Sequence, residues 1–152
     1  MGKSFFWLFI SSILYLVSAS IGTFIAFQQN LTANFGGILQ SRDIVSDFLI
    51  INGTALSPPL PFMIIQLLFT VLILKKGKSV TVGVIGLAVM GAIYTLAQLG
   101  EPILLRQFTP VNFNPTQATI LTANLIFSLF MFISGILAWI SIKRLARTQS
   151  VI

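Results

Sequence analysis

Long stretches without a charged side chain set the pattern of this chain, and four of them approach the length of a membrane crossing. A hydrocarbon layer about 30 Å thick takes about 20 apolar helical residues to span. The runs fall at about 5–27, 58–75, 80–100 and 115–142. Ser57 followed by Pro58 has the cap and first-turn signature of a helix start, which sets the beginning of the second run. Ser79 is a candidate cap for the third. The fourth has the clearest start: Asn114 can cap, Pro115 takes the first helical position, and Gln117 can reach back as in a capping box.

Between these runs the connections are unequal. An inner loop, 76–79, is a tight turn that makes the second and third helices antiparallel neighbours. Two outer loops, 28–57 and 101–114, are longer. Within the first, "SRDIVSDFLIING" predicts a short amphipathic helix capped by Ser41, with Ile44, Val45, Phe48 and Leu49 as its apolar stripe and Asn52-Gly53 as its stop. The second carries Ile103, Leu104, Leu105 and Phe108, an apolar set suited to lying flat in the interface. The predicted fold is therefore all-α, a single transmembrane domain over 1–152: an integral membrane four-helix bundle with a short amphipathic interfacial helix in the first outer loop.

Composition agrees with that class. The chain is 56% hydrophobic and 8% charged, with mean hydropathy +0.98, too little polar surface to cover a water-soluble fold of this size. Charge adds an orientation. Lys3, Lys75, Lys76, Lys78, Lys143, Arg144 and Arg147 fall on one side, whereas Arg42 and Arg106 share the other with Asp43, Asp47 and Glu101. Positive flanks stay in the cytoplasm, so the expected protein is multi-pass with both termini cytoplasmic. The basic clusters read as topology signals and contacts to membrane lipids, not as a nucleic-acid surface. Lys3, the apolar run after it and the small Ser18 and Ser20 resemble a cleavable leader, but the run continues through Ile21 to Phe27 and is read as a span.

Small and polar residues at helical spacing mark the faces expected to turn inward, because helices in lipid approach closely through them. These helix-packing candidates are Ser11, Ser18 and Gly22 on the first helix, with Tyr15 on the same stripe. Ala88, Gly91, Ala92 and Thr95 follow on the third, and Asn124, Ser128 and Gly135 on the fourth. Gln66, Gln98 and Asn124 are candidates for hydrogen bonds between helices.

The absences narrow the chemistry. There is no cysteine and no histidine, hence no disulfide, thiolate nucleophile, imidazole base or cysteine-ligated metal. Apart from Lys75, the last residue of the second run, no charged residue lies within a predicted span, which argues against a proton- or sodium-coupled carrier. Asp43 and Asp47 share a helix face but are too few to cage calcium. Neither a cofactor nor a metal is expected, and an enzyme is disfavoured. Glu101 stands apart: it sits where the dipole of the third helix opposes an acid, and Pro102 biases it toward extended backbone. Its expected neighbours are Arg106 and, one turn below, Gln98. Gln98, Glu101 and Arg106 are accordingly the candidate ligand-binding set.

Two functions remain in view. The first is a non-catalytic accessory or structural subunit, or a self-associating bundle, whose partner is another membrane protein or a second copy. The alternative is a binding or transport module for a lipid-like or apolar small molecule near the outer face.

Overall fold

The computed structural model describes residues 2–35, 39–40, 43–50, 52–107, 109 and 113–149. Six helices account for most of them: α1 (Lys3–Gln29), α2 (Ile44–Ile50), α3 (Leu60–Leu72), α4 (Lys78–Leu99), α5 (Pro102–Arg106) and α6 (Pro115–Gln149). A minimal antiparallel ladder pairs Asn34 with Gln40 and Phe35 with Leu39, a detail with no counterpart in the hydropathy pattern. The predicted cap Ser41, together with Arg42 and Phe108, lies outside the described residues.

Three helices are long and apolar enough to cross a membrane: α1, α4 and the part of α6 from Pro115 to Leu145. Large apolar side chains project outward from them, Phe24, Leu96 and Ile126 among them, each more than half exposed. A water-soluble surface does not tolerate that density of exposed apolar groups, and the three helices suggest an integral membrane protein.

The second run behaves differently. Its helix covers 13 residues, about 20 Å at 1.5 Å per residue, short of the roughly 30 Å core. The reason lies in consecutive prolines. Each biases its predecessor away from the helical region, which keeps Ser57 and Pro58 out of the helix, and the extended Pro59 (φ −65°, ψ 151°) serves as the cap position, two residues later than Ser57-Pro58 alone suggests. Pro61 follows within the first turn, where its missing N–H costs no hydrogen bond. At the other end α6 overshoots the expected 142 and runs to Gln149, because the lysine, arginine, alanine and leucine of its tail are good helix formers in water as well as in lipid. Lys143 Nζ stands 3.9 Å over the Trp139 ring, a cation–π contact at the margin of the apolar stretch.

Neighbouring helices run antiparallel. α6 packs chiefly on α4 and α1, and α3 packs on α4. The sequence places small residues at the closest approaches. A Cβ added at Gly91 would stand 2.6 Å from the amide nitrogen of Phe132 and 2.8 Å from the carbonyl oxygen of Ser128; one at Gly135 would stand 2.7 Å from the Cβ of Ala88. Thr95 Oγ1 donates to Gly91 O at 2.8 Å and lies 3.0 Å from Ser128 Oγ across the same seam. One apolar core gathers Leu8, Tyr15, Leu87, Tyr94 and Met131, and a second, at the end bearing α2 and α5, gathers Ala26, Ile44, Leu56, Ile120 and Leu121.

Polar groups inside are mostly tied down. Gln66 Nε2 donates to Ser12 O at 3.1 Å and Ser12 Oγ at 3.0 Å, and Ser12 Oγ lies 2.7 Å from Thr70 Oγ1. This cluster pins α3 to α1, which approach each other at fewer points than α3 and α4 do. Replacing Gln66 with leucine should therefore lower the midpoint of thermal unfolding in detergent, the loss of stability being about 1–2 kcal/mol for a buried amide bonded between helices. An unchanged midpoint would mean that the cluster does not hold α3 in place.

Candidate functional site

The segment from Asn52 to Pro59 is the feature around which the site is built. It is not helical, yet Gly53, Thr54, Ala55, Leu56, Ser57 and Pro59 are all buried. A buried irregular backbone must find partners for its amides, and this one does. Thr54 N donates to Ser57 O at 2.8 Å, Ala55 N to Leu31 O at 3.1 Å, and Ser57 N to Thr54 O at 3.3 Å. Leu56 N donates to Thr54 Oγ1 at 3.2 Å. The prolines have no N–H to satisfy. Asn124 Nδ2 on α6 donates to Leu56 O at 2.8 Å, and on the α1 side Gly22 lies so close that a Cβ there would stand 2.6 Å from that carbonyl oxygen. Thr23, Ser57 and Thr54 continue the anchorage through hydroxyl contacts of 2.8 Å. Thus the segment plugs the end of the molecule between α1 and α6.

α2 leads into this plug. Its N-terminal cap is Asp43, which accepts from Val45 N at 3.0 Å and Ser46 Oγ at 2.6 Å. The hydrogen bond from the Ser46 hydroxyl, then that from the Val45 amide, hold the Asp43 carboxyl below its ordinary pKa. At the C-terminal end Gly53 adopts φ 76°, a conformation that favours glycine, while Asn52 N and Gly53 N both donate to Asp47 O. The apolar stripe splits: Ile44 is buried and Phe48 meets Phe27 edge to face at 5.4 Å, but Val45 and Leu49 are half exposed. Both acids of α2 thus serve local structure, Asp47 Oδ1 accepting from Asn52 Nδ2 at 3.1 Å.

Beside the plug lies a cavity of about 300 Å³. One wall is Leu56, Ser57, Pro58 and Pro59; another is Ile93, Tyr94, Ala97 and Gln98 of α4; Tyr15, Phe62, Ala33 and Glu101 close it. Tyr15 and Tyr94 stack with centroids 4.6 Å apart, and the Tyr94 hydroxyl donates to Phe62 O at 3.2 Å. The walls are mainly apolar. Gln98 is 8% exposed and, among the described residues, its Oε1 has no hydrogen-bond partner, an uncommon state for a buried amide.

Glu101 is the singular group. It too is 8% exposed. The chain is extended there (φ −80°, ψ 121°), and Glu101 occupies the position before the first turn of α5 without capping it. Its carboxylate accepts instead from Asn34 N, 3.3 Å from each oxygen. Burial raises its pKa from 4.5 to about 7, against the opposing pull of the Asn34 amide. Among the described residues no ion pair joins Glu101 to Arg106. Arg106 is exposed and lines a separate groove of about 200 Å³ that reaches Glu101 from the other side, past Asn34 and Pro102. Of the three candidate ligand residues, Gln98 and Glu101 share the cavity and Arg106 does not.

The remaining predicted residues fall as follows. Ser11 bonds Leu8 O on its own helix at 3.0 Å, and Ser18 is buried with an unpartnered hydroxyl. Gly22 and Asn124 hold the plug; Ala88, Gly91, Thr95, Ser128 and Gly135 lie in the α4–α6 seam. Ala92, next to Gly91, is half-buried. Tyr15, Tyr94, the plug and Asn34 were not singled out as site residues from sequence. The doubled proline was the one available signal, marking non-helical backbone just before an apolar helix. Asn114 caps α6, accepting from Thr116 N at 3.1 Å and Gln117 N at 3.3 Å. Gln117 does not complete the box: the Asn114 amide goes to Gln107 Oε1 at 2.9 Å, and Gln117 Nε2 donates to Gln29 at 2.6 Å.

A pH dependence follows from Glu101. Its folded pKa, about 7, exceeds the ordinary 4.5, so between those values the folded chain binds the proton more tightly than the unfolded one. The stabilisation is complete below about 4.5 and is lost as the pH rises through about 7. The thermal midpoint in detergent should fall between about pH 5 and about pH 8, with a loss of stability on the order of 1–2 kcal/mol, and should stay level in Glu101→Gln. Asp43 acts in the opposite sense and at more acidic pH, outside this window. A level wild-type profile would mean that the carboxyl is solvated.

No family model matches this chain, and no similarity to a curated protein or a solved structure is found.

Proposed function

We propose that this chain is a multi-pass membrane protein that binds a small, largely apolar molecule in the cavity beside the plug, near the outer face, without catalysing a reaction. The observation that carries the reading is the cavity itself: apolar walls of aromatic and proline side chains with two buried polar groups, Gln98 and Glu101, set into one side. Few well-placed polar groups in a mainly apolar concavity are the usual build of a ligand site. The structural-subunit reading rests on small-residue stripes, but Gly22, Ala88, Gly91 and Gly135 meet partners within the chain. They do not by themselves call for a second protein.

In the arrangement proposed, α1, α4 and α6 cross the bilayer, and α3 joined to the plug completes a four-helix bundle. α2 and α5 lie at the outer interface, and both termini are cytoplasmic. The basic residues support this sidedness, since Lys3, Lys75, Lys76, Lys78 and Lys143 gather at one end of the antiparallel helices, opposite Asp43, Asp47 and Glu101. The chain lacks cysteine, so single cysteines report sidedness without background. Lys76→Cys should react with a membrane-impermeant maleimide only after the cells are opened, and Thr109→Cys in intact cells. The reverse pattern would invert the topology.

Ligand binding is tested by native mass spectrometry of the chain gently extracted from its own membrane. The wild type should carry one discrete non-protein mass, and Ala97→Phe, which fills the cavity from α4, should lose it. A wild type without such a mass, or a mass that survives Ala97→Phe, would overturn the reading.

A further inference from the structure

Resting on the cavity reading, we propose that the ligand is a small lipophilic amine, its apolar body lying against Tyr94, Phe62 and Pro59 and its ammonium group hydrogen-bonded to Glu101 and Gln98. The donor and acceptor inventory around the cavity points to that chemistry. Glu101 is an acceptor in its ionised form, and the one hydrogen bond it receives is the Asn34 amide, shared between its two oxygens. Gln98 Oε1 receives none. Asn52 Nδ2 donates to Asp47, the Tyr94 hydroxyl to Phe62 O, and the Thr54 and Ser57 hydroxyls bond within their own cluster, which leaves Gln98 Nε2 as an uncommitted side-chain donor beside these acceptors. A ligand that fits must bring donors of its own.

Charge narrows the class further. A buried carboxylate is costly unless a cation compensates it. Among the described residues, the titratable or charged groups lining the cavity and the groove that share Glu101 are Tyr15, Tyr94 and Arg106. The tyrosines are neutral at physiological pH, and Arg106 is exposed in the groove and forms no ion pair with Glu101. Asn34 and the plug contribute no charge. Among the described residues no cation faces Glu101 across the cavity, so a ligand ammonium can supply one, and the aromatic and proline walls accept its apolar remainder. An anion would meet Glu101 unfavourably, and a neutral alcohol of the same shape could supply one donor but no charge.

The test uses the full chain in nanodiscs of phosphatidylcholine, with empty discs subtracted, and two probes of matched shape, phenylbutylamine and phenylbutanol. At about pH 8.5 Glu101 is ionised and the amine is still protonated. The amine should bind about tenfold or more tighter than the alcohol. Glu101→Gln should erase the advantage. In the wild type, acidification through pH 7 should weaken the amine and leave the alcohol unaffected, which decides the matter even if the variant does not fold. Equal binding of both probes, abolished by Ala97→Phe, would overturn the amine assignment and leave the cavity reading standing. Binding of neither probe, or binding that Ala97→Phe does not change, would remove both.

Discussion

Gly91→Leu is expected to separate α4 from α6 and to cost at least about 3 kcal/mol, the upper end of the range for over-packing, because the obstructing atoms are backbone. A Cβ at this position would lie 2.6 Å from Phe132 N and 2.8 Å from Ser128 O, so even its first carbon demands that the helices part. Parting them also pulls Thr95 Oγ1 away from Ser128 Oγ, now 3.0 Å distant, and loosens Gly135 from Ala88, about one turn along the same seam. α6 is the element on which both α4 and α1 chiefly pack, so the damage reaches the whole assembly. In detergent the thermal midpoint should fall by about 6–12 °C, or the variant should lose its monodisperse elution altogether. Val89→Leu on the outward face, half exposed, serves as the control and should leave the midpoint within a degree or two. If Gly91→Leu matched that control, the close α4–α6 crossing at Gly91 would not exist in the folded protein.

How far the chain could be read without its structure depended on which groups do the work. The apolar runs of 5–27 and 80–100 lie within two residues of α1 and α4 at each end, because charged residues or breakers bound them and nothing competes in between. The run of 115–142 marks apolar residues and not helix, so the observed helix passes its end into the Lys143–Gln149 tail. The run of 58–75 fails at its start: one proline after a serine is a helix signal, but two in succession hold the backbone extended and leave α3 too short to cross alone.

For the site the same split holds. Gln98 and Glu101, three residues apart at the end of α4, are a spacing that sequence reveals, and both line the cavity. Arg106 is close to Glu101 in sequence, but α5 carries it to the exposed groove. The group that does meet the carboxylate, the Asn34 amide, is a backbone donor 67 residues away. Backbone donors have no sequence signature, and long-range pairings between irregular segments follow no period. The plug was illegible for the same reason: "NGTALSPP" reads as a helix stop at Asn52-Gly53 and a helix start at Ser57-Pro58, and only the partners supplied by Leu31, Thr23 and Asn124 make it an interior segment.

Gly22→Val should dislodge the plug and abolish ligand binding along with stability. Its first side-chain carbon would stand 2.6 Å from Leu56 O and 3.1 Å from Ile120 Cγ2. Neither α1 nor α6 can retreat without opening the core around Ala26 and Leu121, so the non-helical segment is the part that yields. When Leu56 moves, its carbonyl oxygen leaves Asn124 Nδ2, now 2.8 Å away. Asn124 Oδ1 already lacks a partner, and the whole amide would then be buried unpaired. Over-packing and the orphaned amide each cost about 1–3 kcal/mol. Asn124→Leu attacks the same hydrogen bond from the other side, removing the donor and leaving the Leu56 carbonyl without one. Because both substitutions break one interaction, their effects should not add: the double variant should lose about 1 kcal/mol or more less than the sum of the single losses. The cavity takes one wall from Leu56, Ser57, Pro58 and Pro59, so all three variants should also lose the bound mass proposed for the wild type. Strict additivity would show that Gly22 and Asn124 do not act on a common carbonyl, and a retained ligand in Gly22→Val would show that the plug is not a wall of the site.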